Sequence, residues 1–293
     1  MKSIIEELKY NFKRKDNGLI KIILINIVVF VVLSLIYVFS KLFQNEIVLN
    51  FVLENLVLPT QFSRFIFKPW TILTYFFSHQ DVFHILFNLL SFYWFGNIIV
   101  EYLGNRRLIS IYLYGGIFAG LLFLTLFNFI PFFIQSNTFG LLGASGAIYA
   151  VIVAAAVLVP DYTFFMIFFG PVKIKYLAAI MIFISVIGSV ESNAGGNIAH
   201  LGGALVGYLF IRFLKQGTDI GKPISAIGDF FNRISSPRPN MKVTYKNTNH
   251  QKNVNTILPN QQEIDNILDK INRSGYESLT NEEKQKLFKA SQK

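Results

Sequence analysis

Residues 19–39 read LIKIILINIVVFVVLSLIYVF, with Lys21 as the only charge. At 1.5 Å of rise per residue such a helix reaches about 30 Å, the thickness of a bilayer's hydrocarbon core. A secretory signal would need a shorter apolar core and a small-residue cleavage site, so the stretch is expected to be a retained first span. The composition around it agrees. The 293 residues are 53% hydrophobic and only 15% charged, and 31 of them are Phe. A soluble domain carries about 25% charged residues, so the expected class is a polytopic helical membrane protein. The chain contains no cysteine, which excludes a disulfide framework, a thiolate metal site and a cysteine nucleophile. The net charge of +10 does not form one nucleic-acid-binding patch, because Lys and Arg flank the apolar stretches.

Five more spans follow from hydropathy, at about 83–102, 108–130, 145–160, 174–190 and 198–214. Residues 42–80 hold short apolar clusters interrupted by Glu46, Glu54, Arg64, Lys68, Pro59 and Pro69, which reads as a long loop on or dipping into the interface. The stretch 160–176 is ambiguous, either extending the fifth span or lying along the interface. Basic residues set the orientation. Arg106 and Arg107 separate spans two and three, Lys173 and Lys175 separate four and five, and Arg212 and Lys215 end the sixth. The 131–144 connection has no charge, and the one between spans five and six has only Glu191. The positive-inside rule then puts both termini in the cytoplasm.

The organisation expected is a basic cytoplasmic segment at 1–18 and a six-span domain at 19–215. A flexible Gly/Pro/Ser/Asn-rich linker at 216–260 and a short helical hairpin at 261–293 complete it. In the last segment Ile264, Ile267, Leu268 and Ile271 share one helical face. Gly275 interrupts it, and Thr280 with Glu283 forms a T-x-x-E capping box.

Polar groups inside spans are costly and ask for a reason. His84 and Asn88 are four apart on the second span and share a face. Ser145 stands in Gly143-Ala144-Ser145-Gly146 at the start of the fourth, and His200 one or two residues into the sixth. Spans two, four and six all run from outside to inside, so these groups are expected in one shallow layer below the outer surface. A serine hydroxyl becomes a nucleophile when a neutral imidazole takes its proton. The Asn88 amide, His84 and the Ser145 backbone N–H can donate to an oxyanion, helped by the positive end of the helix. Tyr149, one turn after Ser145, can hold the imidazole by stacking. No carboxylate in a span is placed to orient His200, so the reading is a Ser–His dyad. Gly203 and Gly207, with Gly146 and Ala150, read as a close-packing seam between spans four and six. His79 reads as a loop or interfacial residue and Trp70 as an interface anchor.

The pieces His84-Ile-Leu-Phe-Asn88, Gly143-Ala-Ser145-Gly146 and Ala199-His200-Leu-Gly-Gly203, in this order, resemble the rhomboid intramembrane serine proteases over about residues 20–215. Glu101-Tyr-Leu-Gly104 is similar to that family's E-x-x-G turn. The resemblance implies that Ser145 is the nucleophile, His200 the general base and acid, and His84 and Asn88 the oxyanion-hole partners, with Tyr149 packed on His200. It implies no cofactor and no metal. Single-span membrane proteins are the implied substrates, and the protein would be multi-pass in a bacterial plasma membrane. The family's Trp-Arg pair appears here as Trp70-Thr71, without the arginine. A catalytically inactive rhomboid-like protein that binds membrane helices is the alternative. A transporter would place charges near the midplane, and no H-E-x-x-H or intramembrane aspartate points to the other intramembrane protease chemistries.

Overall fold

In the computed structural model, which describes residues 17–135, 138–166, 170–235 and 260–291, four helices are long and apolar enough to cross a membrane. They are α1 (Gly18–Leu42), α5 (Val82–Leu103), α6 (Asn105–Phe129) and α10 (Ala194–Lys215), the last separated in sequence from α6 by the one-turn α7 (Pro131–Ile134) and two shorter apolar helices, α8 (Ser145–Leu158) and α9 (Ile174–Gly188). α1 buries little more than Gly18, Leu19, Ile22, Asn26, Leu33 and Ser40, and turns Val28, Leu35, Tyr37 and Phe39 outward, as lipid-facing residues would be.

The core of the bundle is α8, packed among α5, α6, α9 and α10. It buries every residue from Gly146 to Ala156 except Tyr149. At 14 residues it extends only about 21 Å. A helix enclosed by protein on all sides need not match the lipid thickness, so its N-terminus can start below the outer surface. α8 meets α10 without side chains between them. A Cβ on Gly203 would overlap the Gly146 carbonyl oxygen, and one on Gly207 would overlap that of Ala150. Beside this seam, a Cβ on Gly115 of α6 would press on the Ala150 methyl and lie 3.3 Å from the Ala147 backbone. Helix backbones approach this closely only where both faces are small.

Three regions differ from the sequence expectation. Residues 42–80 are not an irregular loop. They form α2 (Ile47–Leu56), α3 (Phe62–Phe67) and α4 (Thr71–Thr74), followed by a 3₁₀ turn at Tyr75–Phe77. Pro59 and Pro69 separate these helices, and Ile47, Val48, Phe51, Ile66 and Phe67 stay exposed, as suits an element at an interface. The segment between α8 and α9 does not extend a helix. It is an antiparallel hairpin of β1 (Thr163–Met166) and β2 (Gly170–Lys173), with Thr163 opposite Lys173 and Phe165 opposite Pro171. Asp161 at its base lies 2.9 Å from both Lys173 and Lys175. Hydrogen bonds from Lys175 and then Lys173 hold its carboxyl down at about 2. Third, the expected linker begins with a helix, α11 (Lys222–Ser235). Arg106 grips Asp229 at 3.1 Å, Arg107 grips Asp219 at 3.0 Å, and the Ser110 hydroxyl reaches the Gly221 carbonyl. A Gly/Ser-rich composition therefore conceals an anchored helix. The rest of that linker, 236–259, and the basic segment 1–16 lie outside the described residues.

Residues 237–293 form a separate unit. Of its helices, α12 (Gln261–Ser274) buries Ile264 and Ile267, and Leu279 is buried in the connection to α13 (Asn281–Ser291). The Thr280 N–H donates to Glu283 Oε2 at 2.7 Å and the Glu283 N–H to Thr280 Oγ1 at 3.3 Å, the reciprocal pair of a capping box.

Because no space exists for a side chain at the α8–α10 seam, Gly203→Val should separate two backbones and lower apparent stability by at least the ~1–3 kcal/mol of an overpacked core. Thermal unfolding in detergent, compared with Gly228→Ala in open space on α11, checks this. Equal melting of the two variants would contradict the seam.

Candidate active site

A cavity of about 570 Å³ opens among α5, α8, α9 and α10, and Ser145, Tyr149, His84, Asn88, Met181 and His200 line it. The structure thus brings to one place the five predicted side chains, His84, Asn88, Ser145, Tyr149 and His200, that the sequence scatters over more than a hundred residues. Ser145 is the first residue of α8, and the turn before it depends on Gly143. That glycine has φ +113°, and a Cβ on it would lie 2.9 Å from His84 Cε1. The left-handed backbone and the imidazole each require glycine there. Gly146 sits one residue past Ser145 and carries the contact with α10.

His200 stands deeper than expected. α10 starts at Ala194 and not near residue 198, which makes His200 its seventh residue. Its ring lies flat against Tyr149, with centroids 4.0 Å apart and planes 5° from parallel. Its Nδ1 is 3.1 Å from the Ser185 hydroxyl on α9. The nitrogen left for Ser145 is Nε2. Among the described contacts no hydrogen bond joins Ser145 to His200.

The departure of most consequence concerns His79. It stands in the loop between the 3₁₀ turn and α5, as expected, but is fully buried. Its Nε2 accepts the Ala144 N–H at 3.2 Å and stands 3.1 Å from Asn88 Nδ2. A backbone N–H can only donate, so Nε2 is unprotonated and the Asn88 amide donates to it as well. One imidazole thereby ties the residue preceding Ser145 to the Asn88 side chain, leaving the second Asn88 N–H for the cavity. Asp81 caps α5 by accepting the His84 N–H at 2.7 Å, which fixes the turn that carries His84. Neither His79 nor Ser185 carries a periodic signal: the first precedes its helix, and the second is one hydroxyl on an apolar helix. Trp70 has a partner too, its indole N–H donating to the Asn55 carbonyl at 2.9 Å. Thr71, at the position of the expected arginine, is buried with its hydroxyl on the Lys68 carbonyl at 2.6 Å.

The sequence pattern of the Rhomboid domain matches residues 67–217, and that of a family of unknown function, DUF6576, matches 242–293. RHOMBOID-like protein 12, mitochondrial, of Arabidopsis thaliana is 31% identical over 158 residues, covering 50% of this chain and 47% of that protein. The presenilin-associated rhomboid-like protein, mitochondrial, of Mus musculus is 28% identical over 162 residues, covering 52% of this chain and 39% of that protein. Protein A of the same name in Danio rerio is 29% identical over 146 residues, covering 47% and 35%. The chain therefore spans about half the length of these relatives, or less.

His79→Ala should leave the Ala144 N–H buried without an acceptor, a loss of about 1–3 kcal/mol. Chemical or thermal unfolding in detergent reads it. Unchanged stability would mean that water or a neighbouring carbonyl satisfies that N–H without the imidazole.

Proposed function

This chain belongs to the rhomboid family, and from that premise we propose that it is an intramembrane serine endopeptidase. It would cut transmembrane segments near their outer end through a Ser145–His200 dyad. The observation that carries the reading is the shared cavity, with the Ser145 hydroxyl, the stacked His200 ring and the donors His84 and Asn88 around one space. Ser145 Oγ attacks the scissile carbonyl carbon as its proton passes to His200 Nε2. The oxyanion takes hydrogen bonds from Asn88 Nδ2, His84 and the Ser145 N–H, beside the positive end of α8. Collapse breaks the C–N bond, and His200 returns the proton to the leaving amine. Water then attacks the acyl-enzyme, giving up its proton to His200, and release of the new carboxyl end restores the serine.

We further propose that α8 and α9 complete six spans with α1, α5, α6 and α10, and that both termini lie on the cytoplasmic side of a bacterial plasma membrane. The charge bias of the loops supports the side and does not speak to the organelle; the three relatives are named as mitochondrial proteins. Substrates on this reading are single-span proteins. An intact substrate helix hides its carbonyls in i→i+4 hydrogen bonds, so the cut segment must unwind. Gly costs a helix about 1 kcal/mol and Pro about 3 kcal/mol relative to Ala, which favours small and helix-breaking residues near the cut. One observation favours a second reading, a rhomboid-like protein that binds membrane helices without cutting them: Ser145 and His200 share no hydrogen bond. Catalytic hydrogen bonds often tighten only with substrate bound, so this favours it weakly.

The wild type in proteoliposomes should cleave a single-span substrate rich in Gly, Ala and Ser near its outer end, and Ser145→Ala and His200→Ala should not, while both stay folded. Mass spectrometry locates the cut. Cleavage by Ser145→Ala would refute the dyad, and a cut at the cytoplasmic end would refute the orientation. Asn88→Ala should slow turnover by about 10²–10³, the loss seen on removing one oxyanion donor, and still react with a fluorophosphonate probe. An unfolded Asn88→Ala would assign that residue to helix packing alone.

A further inference from the structure

We propose that Ser185 is a positioning residue that sets the tautomer of His200, taking the place a carboxylate holds in a triad; this rests on the protease reading above. Ser185 is fully buried on α9, and its hydroxyl has three neighbours: the Met181 carbonyl at 3.0 Å, the Tyr149 hydroxyl at 3.3 Å and His200 Nδ1 at 3.1 Å. A serine hydroxyl owns one proton and two lone pairs. The Met181 carbonyl brings no proton, so the serine proton must go to it if that contact is a hydrogen bond. Both lone pairs are then free to accept. Tyr149 can supply its own O–H, and His200 must supply an Nδ1–H.

All three contacts are satisfied together in only this arrangement, and a fully buried hydroxyl favours full satisfaction. Its consequence is chemical. A neutral imidazole protonated at Nδ1 has its lone pair on Nε2, the nitrogen that faces the Ser145 step. The opposite tautomer would present an N–H to Ser145 and could not act as a base. Tyr149 serves the same end twice, since its ring fixes the plane of the imidazole and its hydroxyl fills the second acceptor site of Ser185. When His200 takes the Ser145 proton, the imidazolium keeps its Nδ1–H on Ser185, so no further proton has to move.

Ser185 does not line the cavity. It touches no substrate, and its loss should fall on kcat with KM unchanged. Ser185→Ala should reduce kcat about 10- to 100-fold. That is milder than the ~10⁴ loss when a triad aspartate becomes an amide, because a neutral hydroxyl orients the ring without stabilising its charge by an opposite one. Ser185→Thr, which keeps the hydroxyl, should recover most of it.

The deciding measurement needs no turnover: ¹⁵N NMR of histidine-labelled protein in detergent, with the His200 signals identified by their absence in His200→Ala. The wild type should show a protonated Nδ1 and a lone-pair Nε2 on His200, and Ser185→Ala should show mixed or reversed tautomers in a protein that still melts cooperatively. A wild-type His200 protonated at Nε2 overturns the proposal, as does unchanged His200 nitrogen spectra in Ser185→Ala. If the spectra behave as expected and the wild type cuts no substrate, the positioning role stands and the protease reading fails.

Discussion

The backbone contact of Gly203 with Gly146 is the constraint on which the rest of the bundle depends. It sets the separation of α8 and α10, and therefore the distance from the start of one to the imidazole of the other. With no side chain in the seam, there are no rotamers to order and nothing to adjust. The small residues continue on the α6 side, where Gly115 faces Ala147 and Ala150. A helix packed this closely against two neighbours is fixed along its length, and with it the position of the Ser145 hydroxyl at its start. Without that seam, the Ser145 hydroxyl at the start of α8 and the His200 imidazole on α10 would stand farther apart.

Around this rigid axis, polar groups are used sparingly and in short chains. His79 joins Ala144 to Asn88, and Ser185 joins Tyr149 and His200 to the turn of α9. A parallel chain lies under the cavity wall: Asn26 reaches the Tyr112 hydroxyl at 3.3 Å, which donates to the Phe76 carbonyl at 3.0 Å. The Tyr75 carbonyl takes the Gly143 N–H at 2.9 Å, so the 3₁₀ turn before α5 also steadies the turn before Ser145. Each chain ends on a backbone group. Those anchors hold each side chain in a fixed direction, even though Asn26 Oδ1 and His79 Nδ1 stay buried without a hydrogen-bond partner.

What could be read from the sequence followed from periodicity and spacing. Four long apolar runs gave the spanning helices to within a few residues. The Gly and Ala positions of α8 and α10 marked a seam because small residues at four-residue spacing have few other uses in lipid. His84 with Asn88, and Ser145 with Tyr149, share helix faces and so met where expected. His200 shifted by a full turn because polar Ala-Gly-Gly-Asn lacks the hydropathy that marks a span, although it continues the helix. The hairpin of β1 and β2 was hidden because four-residue strands are too short for an alternation to register. α11 was hidden by Gly, Ser and Pro, which speak of a linker until Arg106 and Arg107 supply partners for Asp229 and Asp219. Ser185 and His79 depend on contacts from other elements, and no local pattern reports those.

The basic residues between and after the long helices carry two kinds of information. Arg106, Arg107, Lys173, Lys175 and Lys215 are the residues whose charge argues for the orientation of the chain during insertion. In the folded protein each is engaged: the arginines with Asp229 and Asp219, Lys173 and Lys175 with Asp161, and Lys215 with the Val157 carbonyl at 2.8 Å. The side chains that the charge bias counts are thus also clasps of the folded bundle. Asp219 and Asp229 follow α10 in the chain, so these partners of Arg107 and Arg106 are made only after the last of the long helices.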